Sequence, residues 1–361
     1  ALYLEADDEY EISDIDGESC YPNTILKCGF IPQLQGKGGK WMAEYQSILD
    51  QRVAAKHAGN KLVAGSLKLA ANGTYGKLGS LFCSFYAPDL MLATCLTGQL
   101  NLLNLIDLIS KIKGVRVMSA NTDGIMVHYP RAVRDTLFKA VAVNAKQTGY
   151  KYEETKYLKA AMKDVNNYVM LKADGSIKAK GLYAPTSLEK NPTMEVCSRA
   201  VAEYLKKGTK PEAFIKKQKD ITLFVTTRGV SDGGVQHTKF TMVDDWVESE
   251  VSPGHWYRPE WPEDRAFVKR KSRPKPVAVG VGGKPFGRVA RWYMSTKIQP
   301  PITNAVNGNK VPKTDGAQLC MTLPDTLPAD IDYQWYVDET YSILEDMGVP
   351  CTHRKATPSP N

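Results

Sequence analysis

Apolar and polar residues alternate with strand-like spacing in three parts of the chain. Residues 9–25 predict a strand that breaks at Gly17, followed by a turn at Tyr21-Pro22. Residues 114–129 and 166–181 each predict two short strands around a tight turn, Asn-Thr-Asp-Gly in the first segment and Ala-Asp-Gly-Ser in the second. Because Asp-Gly turns between apolar runs are a strong hairpin signal, the pattern predicts antiparallel strands.

Helical spacing of the apolar residues occupies most of the chain between these strands. Residues 40–61 and 61–76 predict two helices that turn at Gly59-Asn60, a connection short enough only for antiparallel neighbours. Further helical patterns cover residues 88–112, 130–148 and 203–219, the last with a break at residues 208–211. The mixture of helices with antiparallel strands predicts an α/β protein of the α+β kind.

Leu90–Ile112 is the most apolar run in the sequence. Four polar residues interrupt it, namely Gln99, Asn101, Asn104 and Asp107. We therefore expect a buried helix here and not a membrane span.

Composition and charge narrow the possibilities only slightly. Of the 361 residues, 43% are apolar and 24% are charged, and the net charge of +8 is compatible with a polyanionic partner without requiring one. The seven cysteines include no Cys-x-x-Cys pair. This spacing argues against a zinc site or a disulfide framework, and it favours reduced thiols in a cytoplasmic setting.

Positive charge is concentrated in residues 203–219 and in residues 265–276. Runs of this kind are either solvated surface or a groove for nucleic-acid phosphates, and the residues alone leave both interpretations open. We expect the tail, residues 353–361, to be disordered.

Lys68, Asn72 and Tyr75 share one face of the second predicted helix. A cation, an amide and an aromatic ring do not make a good core, so this stripe is a candidate face for a ligand. Taken singly, Lys68 and Asn72 are also explained by helix capping or by a solvated helix face. Arg52 and Lys56 form a second polar stripe on the preceding helix. By itself, such a pair is also explained by a solvated helix face.

Asp16 and Asp123 are candidate metal ligands, since one lies at a predicted strand end and the other in a predicted hairpin turn. Two carboxylates on neighbouring strands can hold a pair of Mg²⁺ ions, and nearby cations offset the charge of a triphosphate. Taken singly, Asp123 is equally well explained by turn chemistry and Asp16 by a strand-end turn.

The combination and order of these motifs resemble the polymerase part of a family B DNA polymerase, especially the bacteriophage type. The residues that carry the resemblance are Asp-Gly-Glu-Ser-Cys-Tyr-Pro at 16–22, Lys-Leu-Ala-Ala-Asn-Gly-Thr-Tyr-Gly at 68–76 and Ser-Ala-Asn-Thr-Asp-Gly at 119–124. Residues 166–181 fall where the family has its primer-gripping segment. The resemblance covers nearly the whole chain.

The resemblance implies an active site that binds two Mg²⁺ ions, with Mn²⁺ as a substitute. Asp16 and Asp123 would be the catalytic carboxylates, and the backbone carbonyl of Gly17 would be a further ligand. The implied nucleotide site comprises three cations for the triphosphate, a supporting amide, a steric gate against a 2′-hydroxyl and a ring beside the nascent pair: Arg52, Lys56, Lys68, Asn72, Tyr21 and Tyr75.

Contacts with primer–template DNA are implied as well. Tyr168 would contact the primer strand, and Lys163 is a candidate replacement for the family lysine, whose position holds Asn166 here. Arg288 and Arg291 are candidate DNA contacts, although a packed thumb helix explains residues 287–293 equally well.

The hairpin motif departs from the family pattern at three positions. Ser119, Asn121 and Gly124 stand where the family has tyrosine, aspartate and serine. The family's essential ligand is the second aspartate, which is present as Asp123. Asp14 is a spare candidate ligand, because it lies two residues before Asp16 and shares its strand face.

The implied architecture is a right-hand polymerase with an antiparallel-sheet palm and helical fingers and thumb. The palm would comprise residues 1–26 and 80–190, the fingers residues 27–79, and the thumb and C-terminal region residues 191–361. We expect a cytoplasmic protein (in the host cytoplasm if viral) that has no membrane partner. We also expect any 3′–5′ exonuclease to reside in a longer parent chain or a separate subunit.

The implied reaction is template-directed DNA synthesis from dNTPs in viral DNA replication. Two alternatives stay open: a polymerase of another class, such as a reverse transcriptase or an RNA polymerase, and an inactive DNA-binding relic. The finger-helix motif and Tyr21 favour a DNA polymerase of family B over a polymerase of another class.

Overall fold

The computed structural model describes residues 1–33, 38–186, 191–231, 233–237, 240–243, 247–248, 256–257, 275–278 and 286–351. The chain divides into two compact units, Ala1–Lys178 and Ala179–Asn361. Both units contain helices and antiparallel strands, so the mixed α+β class predicted from the sequence is confirmed. Of the basic run 265–276, only the backbone of residues 275–276 is described, and the tail 353–361 lies outside the described residues.

The first unit is built on a seven-stranded sheet. In chain order its strands are β1 (Leu2–Glu5), β2 (Tyr10–Gly17), β3 (Arg116–Asn121), β4 (Gly124–Pro130), β5 (Tyr152–Asp164), β6 (Asn167–Lys172) and β7 (Ile177–Lys180). Their order across the sheet is β3-β4-β2-β5-β6-β7, and β1 pairs with β5. The pairs β2–β4, β2–β5, β3–β4 and β5–β6 are antiparallel.

Both predicted hairpins are present in the sheet. Asn121 pairs with Gly124 and closes a two-residue loop between β3 and β4. The second hairpin joins β6 to β7 through residues 173–176. The sequence pattern did not predict β5, the strand that lies between β2 and β6. Its first half, residues 152–159, is mostly polar and partly exposed, which masks the alternation of a strand.

Five α-helices lie among the described residues of the first unit. They are α1 (Cys20–Cys28), α2 (Gly38–His57), α3 (Lys61–Leu78), α4 (Pro88–Ser110) and α5 (Arg134–Thr148). The predicted pair of neighbouring helices is confirmed as α2 and α3, where the buried Tyr45 hydroxyl donates to the Ala71 carbonyl at 2.8 Å. The turn predicted at Tyr21-Pro22 is wrong, since both residues lie in α1. Proline is tolerated there because the N–H groups of a first helical turn have no partner within the helix.

Helix α4, which we expected to be buried, buries one face only. Leu102, Leu105 and Ile109 pack against the sheet residues Ile15 and Ile125. Four leucines on the helix are exposed: Leu92, Leu96, Leu100 and Leu103. By length and composition alone α4 could cross a membrane, a property that core helices of soluble proteins share.

The second unit contains helices α6 (Glu195–Lys207), α7 (Pro211–Ile215) and α8 (Tyr333–Asp346). The predicted break between α6 and α7 is confirmed, because Gly208 ends α6 in a left-handed conformation. A three-stranded sheet has the order β10 (Ala317–Leu319), β9 (Val289–Met294) and β8 (Thr226–Gly229). Residues 289–293 are therefore part of a strand and not a packed thumb helix.

Candidate active site

Asp16 and Asp123 lie together at one end of the first unit's sheet. In the strand register, Asp16 of β2 is opposite Gly124 of β4, the residue that follows Asp123. The Gly17 N–H donates to the Asp123 carbonyl oxygen at 2.7 Å, which holds the hairpin loop against the end of β2. The antiparallel register thus brings together two carboxylates that are far apart in the sequence.

The two carboxylates also interact electrostatically. Burial of the carboxyl group and the negative charges of Asp123 and Asp14 raise the pKa of Asp16 to about 6. The charge of Glu153, which is opposite Asp16 on β5, adds to this effect, whereas the Lys178 cation opposes it. Concentrated negative charge of this kind is the electrostatic setting of a cation site.

Glycines leave room for this approach of β2 to the hairpin. A Cβ atom on Gly124 would lie 2.6 Å from Oδ1 of Asp16, well inside van der Waals contact. A Cβ atom on Gly17 would lie 3.0 Å from the Asp123 carbonyl oxygen. The serine that the family pattern places at position 124 would thus need the Asp16 carboxylate to move.

The hairpin loop is a strained turn. Thr122 has a positive φ of 60°, which is uncommon for a residue other than glycine. The Asp123 N–H donates to the Asn121 carbonyl at 2.7 Å, and the Thr122 hydroxyl donates to Oδ1 of Asn121 at 3.0 Å. Asn121 therefore fixes the turn that presents Asp123, a role that needs no charge at position 121.

Asp14, the spare candidate ligand, is engaged in an ion pair. Its carboxylate accepts from Lys178 Nζ at 3.0 Å and from the Tyr157 hydroxyl at 3.5 Å. The charge of Asp14 and contact with Tyr157 and Tyr168 raise the pKa of Lys178 despite its burial. Lys178 thus offsets one of the negative charges beside Asp16.

The predicted cations of α2, Arg52 and Lys56, contact residues near the end of β2. Lys56 forms an ion pair with Glu153, and Arg52 donates to the Ser19 hydroxyl. Ser19 precedes α1 in a left-handed conformation with φ 49°. Both contacts place the cationic face of α2 beside the strand end that carries Asp16.

The predicted residues of α3 fall into two groups. Lys68 and Asn72 are exposed. The Tyr75 ring stacks on the ring of Tyr21, with centroids 4.2 Å apart and planes 14° apart. The Tyr75 hydroxyl lies 2.8 Å from Sγ of Cys95 on α4, so the stacked pair joins α1, α3 and α4.

A cavity of about 420 Å³ opens next to Tyr21. Its lining includes Thr122 of the hairpin loop together with Cys95 and Gln99 of α4. Among the described residues, no group of three or more His, Cys, Asp and Glu side chains has the arrangement of a complete metal site. A cation here would take its remaining ligands from water or substrate oxygens.

The predicted DNA contacts are distributed over both units. Tyr168 is buried in an apolar cluster with Ile12 and Met126, and its hydroxyl contacts Lys178. Lys163 is exposed near the end of β5. Arg288 and Arg291 belong to the second unit, where Arg288 is exposed and Arg291 donates to the Met321 carbonyl at 3.3 Å.

Sequence reasoning missed Glu153 and Lys178, two charged residues that shift the pKa of Asp16. The spacing of the motifs carries no signal for either residue, because Glu153 reaches the site through strand pairing and Lys178 through its ion pair with Asp14. Once β5 is placed beside β2, the register alone puts Glu153 opposite Asp16.

The chain was also compared with known proteins. No protein-family model matches it, and no curated protein is significantly similar to it.

Proposed function

We propose that this chain is the polymerase part of a DNA-synthesising enzyme that transfers nucleotides from dNTPs to a primer 3′-hydroxyl under the direction of a template. The observation that carries the proposal is the meeting of Asp16 and Asp123 beside the cationic face of α2 and the stacked Tyr21–Tyr75 pair. These are the groups that a triphosphate, a sugar and divalent cations require in one place.

The proposed architecture is that of a right-hand polymerase. The seven-stranded sheet would serve as the palm, the α2–α3 pair as the fingers and the second unit as the thumb and C-terminal region. The antiparallel sheet that carries both carboxylates supports this assignment, as does the position of α2 and α3 in the same unit.

The donor set suits Mg²⁺. The carboxylates of Asp16 and Asp123 and the Gly17 carbonyl are hard oxygen donors. The raised pKa of Asp16 reflects burial of its carboxyl group and the repulsion of neighbouring carboxylates, and a divalent cation would relieve that repulsion. When bound, two such ions supply activation of the primer hydroxyl and neutralisation of the departing pyrophosphate. With Asn121 in place of the aspartate of the family pattern, the site has less negative charge. The Asn121 side chain still stabilises the turn that presents Asp123.

The remaining residues of the site bind and orient the nucleotide. Arg52, Lys56 and Lys68 hold the triphosphate, and Lys56 exchanges its carboxylate partner Glu153 for a phosphate oxygen. Tyr21, backed by Tyr75, forms a rigid ring surface beside the sugar and leaves no room for a 2′-hydroxyl. Catalysis then depends on positioning, since no side chain acts as a covalent nucleophile.

The proposal is tested by primer extension on a DNA template with Mg²⁺, with dNTPs and rNTPs in parallel reactions. Extension with dNTPs only is the expected result. Extension with rNTPs, or on an RNA template in preference to DNA, would indicate a polymerase of another class. Binding of primer–template with no extension by the chain would contradict the proposal for this chain and favour the inactive relic.

A further inference from the structure

The second unit contains a cavity of about 350 Å³ that has no part in the proposed catalytic site. Its walls combine apolar side chains, hydroxyl groups and a cation: Leu182, Met194, Trp292, Thr226, Thr227 and Arg228. A largely apolar cavity with a few polar groups is the usual form of a site for a small organic ligand or a nucleotide.

A more polar cavity of about 200 Å³ adjoins the first, and Arg228 and Pro312 line both. Asn304, Asn307 and Asn309 of one loop contribute to its lining. The side-chain oxygens of Asn304 and Asn307 each accept a backbone N–H of the same loop at 2.9 Å. The side-chain NH₂ groups of these amides are donors with no acceptor in the described part of the chain.

Backbone strain is concentrated at the larger cavity. Met194 and Lys313, which both line it, have positive φ angles of 47° and 60°. Among the described residues the only other non-glycine residues of this kind are Ser19 and Thr122, and both lie at the candidate active site. Strained backbone persists where the surrounding structure enforces it, and it clusters at ligand sites.

Of the cations that line the two cavities in the described part of the chain, Arg228 is the one without a carboxylate partner. Lys310 pairs with Asp315 and Lys313 pairs with Glu339. Arg228 is exposed, and no acidic side chain in the described ranges pairs with it. A guanidinium where two cavities meet is well placed to bind an anion in bidentate fashion.

We propose that the two adjoining cavities form one nucleotide-binding site, with the base in the larger cavity and the phosphate between Arg228 and the asparagine loop. Proteins bind single strands of nucleic acid in two ways at once. Apolar or aromatic surfaces contact the bases, and cationic side chains pair with the phosphate backbone. The choice of a nucleotide as the ligand rests on the proposed function, since a template-directed polymerase handles single-stranded DNA. The nucleotide is a unit of a single strand or a free molecule.

The site is tested by fluorescence anisotropy with the full chain and a labelled short single strand of DNA, without Mg²⁺ or dNTPs. Arg228→Ala is compared with Arg199→Ala, which removes an arginine of α6 that pairs with Glu195. Arg228→Ala is expected to weaken binding about tenfold, the effect of a lost charge-assisted contact, with Arg199→Ala close to wild type. Equal affinities of the two variants would overturn the proposal.

A second variant tests the base compartment. Thr193 is an exposed residue at the larger cavity, and Thr193→Phe narrows it. This variant is expected to weaken binding of an ordinary strand and to leave binding of an abasic strand unchanged. An equal effect on both strands would contradict the assignment of the base to this cavity.

Competition with unlabelled dAMP separates the two sources of the nucleotide. Displacement of the strand by dAMP indicates a site for free nucleotides, and retention of the strand indicates a site for a unit within it. Catalysis plays no part in these binding measurements. A negative binding result would therefore contradict the second site without contradicting the proposed polymerase, and a negative primer-extension result would not change the outcome of the binding measurements.

Discussion

Lys56 of α2 forms an ion pair with Glu153 of β5, the residue that lies directly opposite Asp16 in the sheet. The pair links the cationic helix to the strand end where the carboxylates meet. In the proposed enzyme, an incoming triphosphate competes with Glu153 for Lys56. A stronger Lys56–Glu153 pair therefore lowers the apparent affinity for dNTPs.

Glu153→Gln is expected to lower the KM for dNTPs, because Lys56 no longer has a carboxylate partner to leave. An exposed ion pair contributes up to about 1 kcal/mol, so the decrease in KM should be no more than about fivefold. Steady-state extension at varied dNTP concentration measures it. Asp107→Asn, which breaks the exposed Asp107–Lys111 pair on α4, is the matched control and should leave KM unchanged. An unchanged KM in Glu153→Gln would contradict the competition.

The pKa of Asp16 reports on its distance from Asp123. Carbon-13 NMR of the aspartate carboxyl groups should give Asp16 a midpoint of about 6 in the metal-free chain. Asp123→Asn removes a negative charge and should lower that midpoint, whereas Asp8→Asn, at an exposed loop position, should not. Identical midpoints in wild type and Asp123→Asn would mean that the two carboxylates are not neighbours.

The same shift has a consequence for stability. The pKa of Asp16 rises from 3.8 to about 6 on folding, so ionisation disfavours the folded state. The free energy of unfolding that this group contributes is fully present below the unfolded pKa and is lost as the pH rises toward about 6. Asp16→Asn should raise the free energy of unfolding at neutral pH by about 1 kcal/mol, because the carboxyl group is only partly buried and solvent screens part of the effect. Urea denaturation measures the difference, and a less stable variant would contradict the sign.

Tyr21→Ala is expected to admit rNTPs. Loss of the ring opens space beside the sugar that the Tyr21–Tyr75 stack otherwise fills. Tyr21→Phe keeps the ring and serves as the control. The measurement is the ratio of kcat/KM for dNTP to that for rNTP. It should fall by about tenfold or more in Tyr21→Ala, equivalent to at least about 1.4 kcal/mol, and stay near wild type in Tyr21→Phe. An unchanged ratio in Tyr21→Ala would remove the assignment of Tyr21 as the gate.

Gly124→Ala should abolish extension while the fold persists. The added methyl group would meet Oδ1 of Asp16 at 2.6 Å, so the carboxylate must leave its position. Gly73→Ala is the control, since a Cβ atom at this helical position meets no other atom within 4 Å. Circular dichroism checks the fold of both variants. Full activity in Gly124→Ala would show that the position of the Asp16 carboxylate is not critical.

The sequence predicted those elements whose signal is local. Asn-Thr-Asp-Gly specified the β3–β4 hairpin, and the Gly59-Asn60 connection specified the neighbouring α2 and α3. Pro22 misled the prediction, because a proline in the first turn of a helix has the same local appearance as a proline in a turn. The α1 helix was missed for that reason.

The candidate site was predicted only in part, because several of its members meet through strand register. Asp16 and Asp123 were found by motif. Glu153 lies on β5, which pairs with β2, and Lys178 lies on β7 at the edge of the sheet, and no local pattern reveals either position. The larger cavity of the second unit, proposed to receive a base, depends likewise on residues from separate segments, such as Thr193 and Trp292.

Primer extension by Asp123→Ala and Asp8→Ala is the most direct test of the central claim, that Asp16 and Asp123 form the catalytic centre of a DNA polymerase. With Mg²⁺, dNTPs and a primed DNA template, wild type and Asp8→Ala should extend the primer. Asp123→Ala should bind primer–template normally and extend it at less than about one-hundredth of the wild-type rate. Extension by Asp123→Ala at the wild-type rate would contradict the claim.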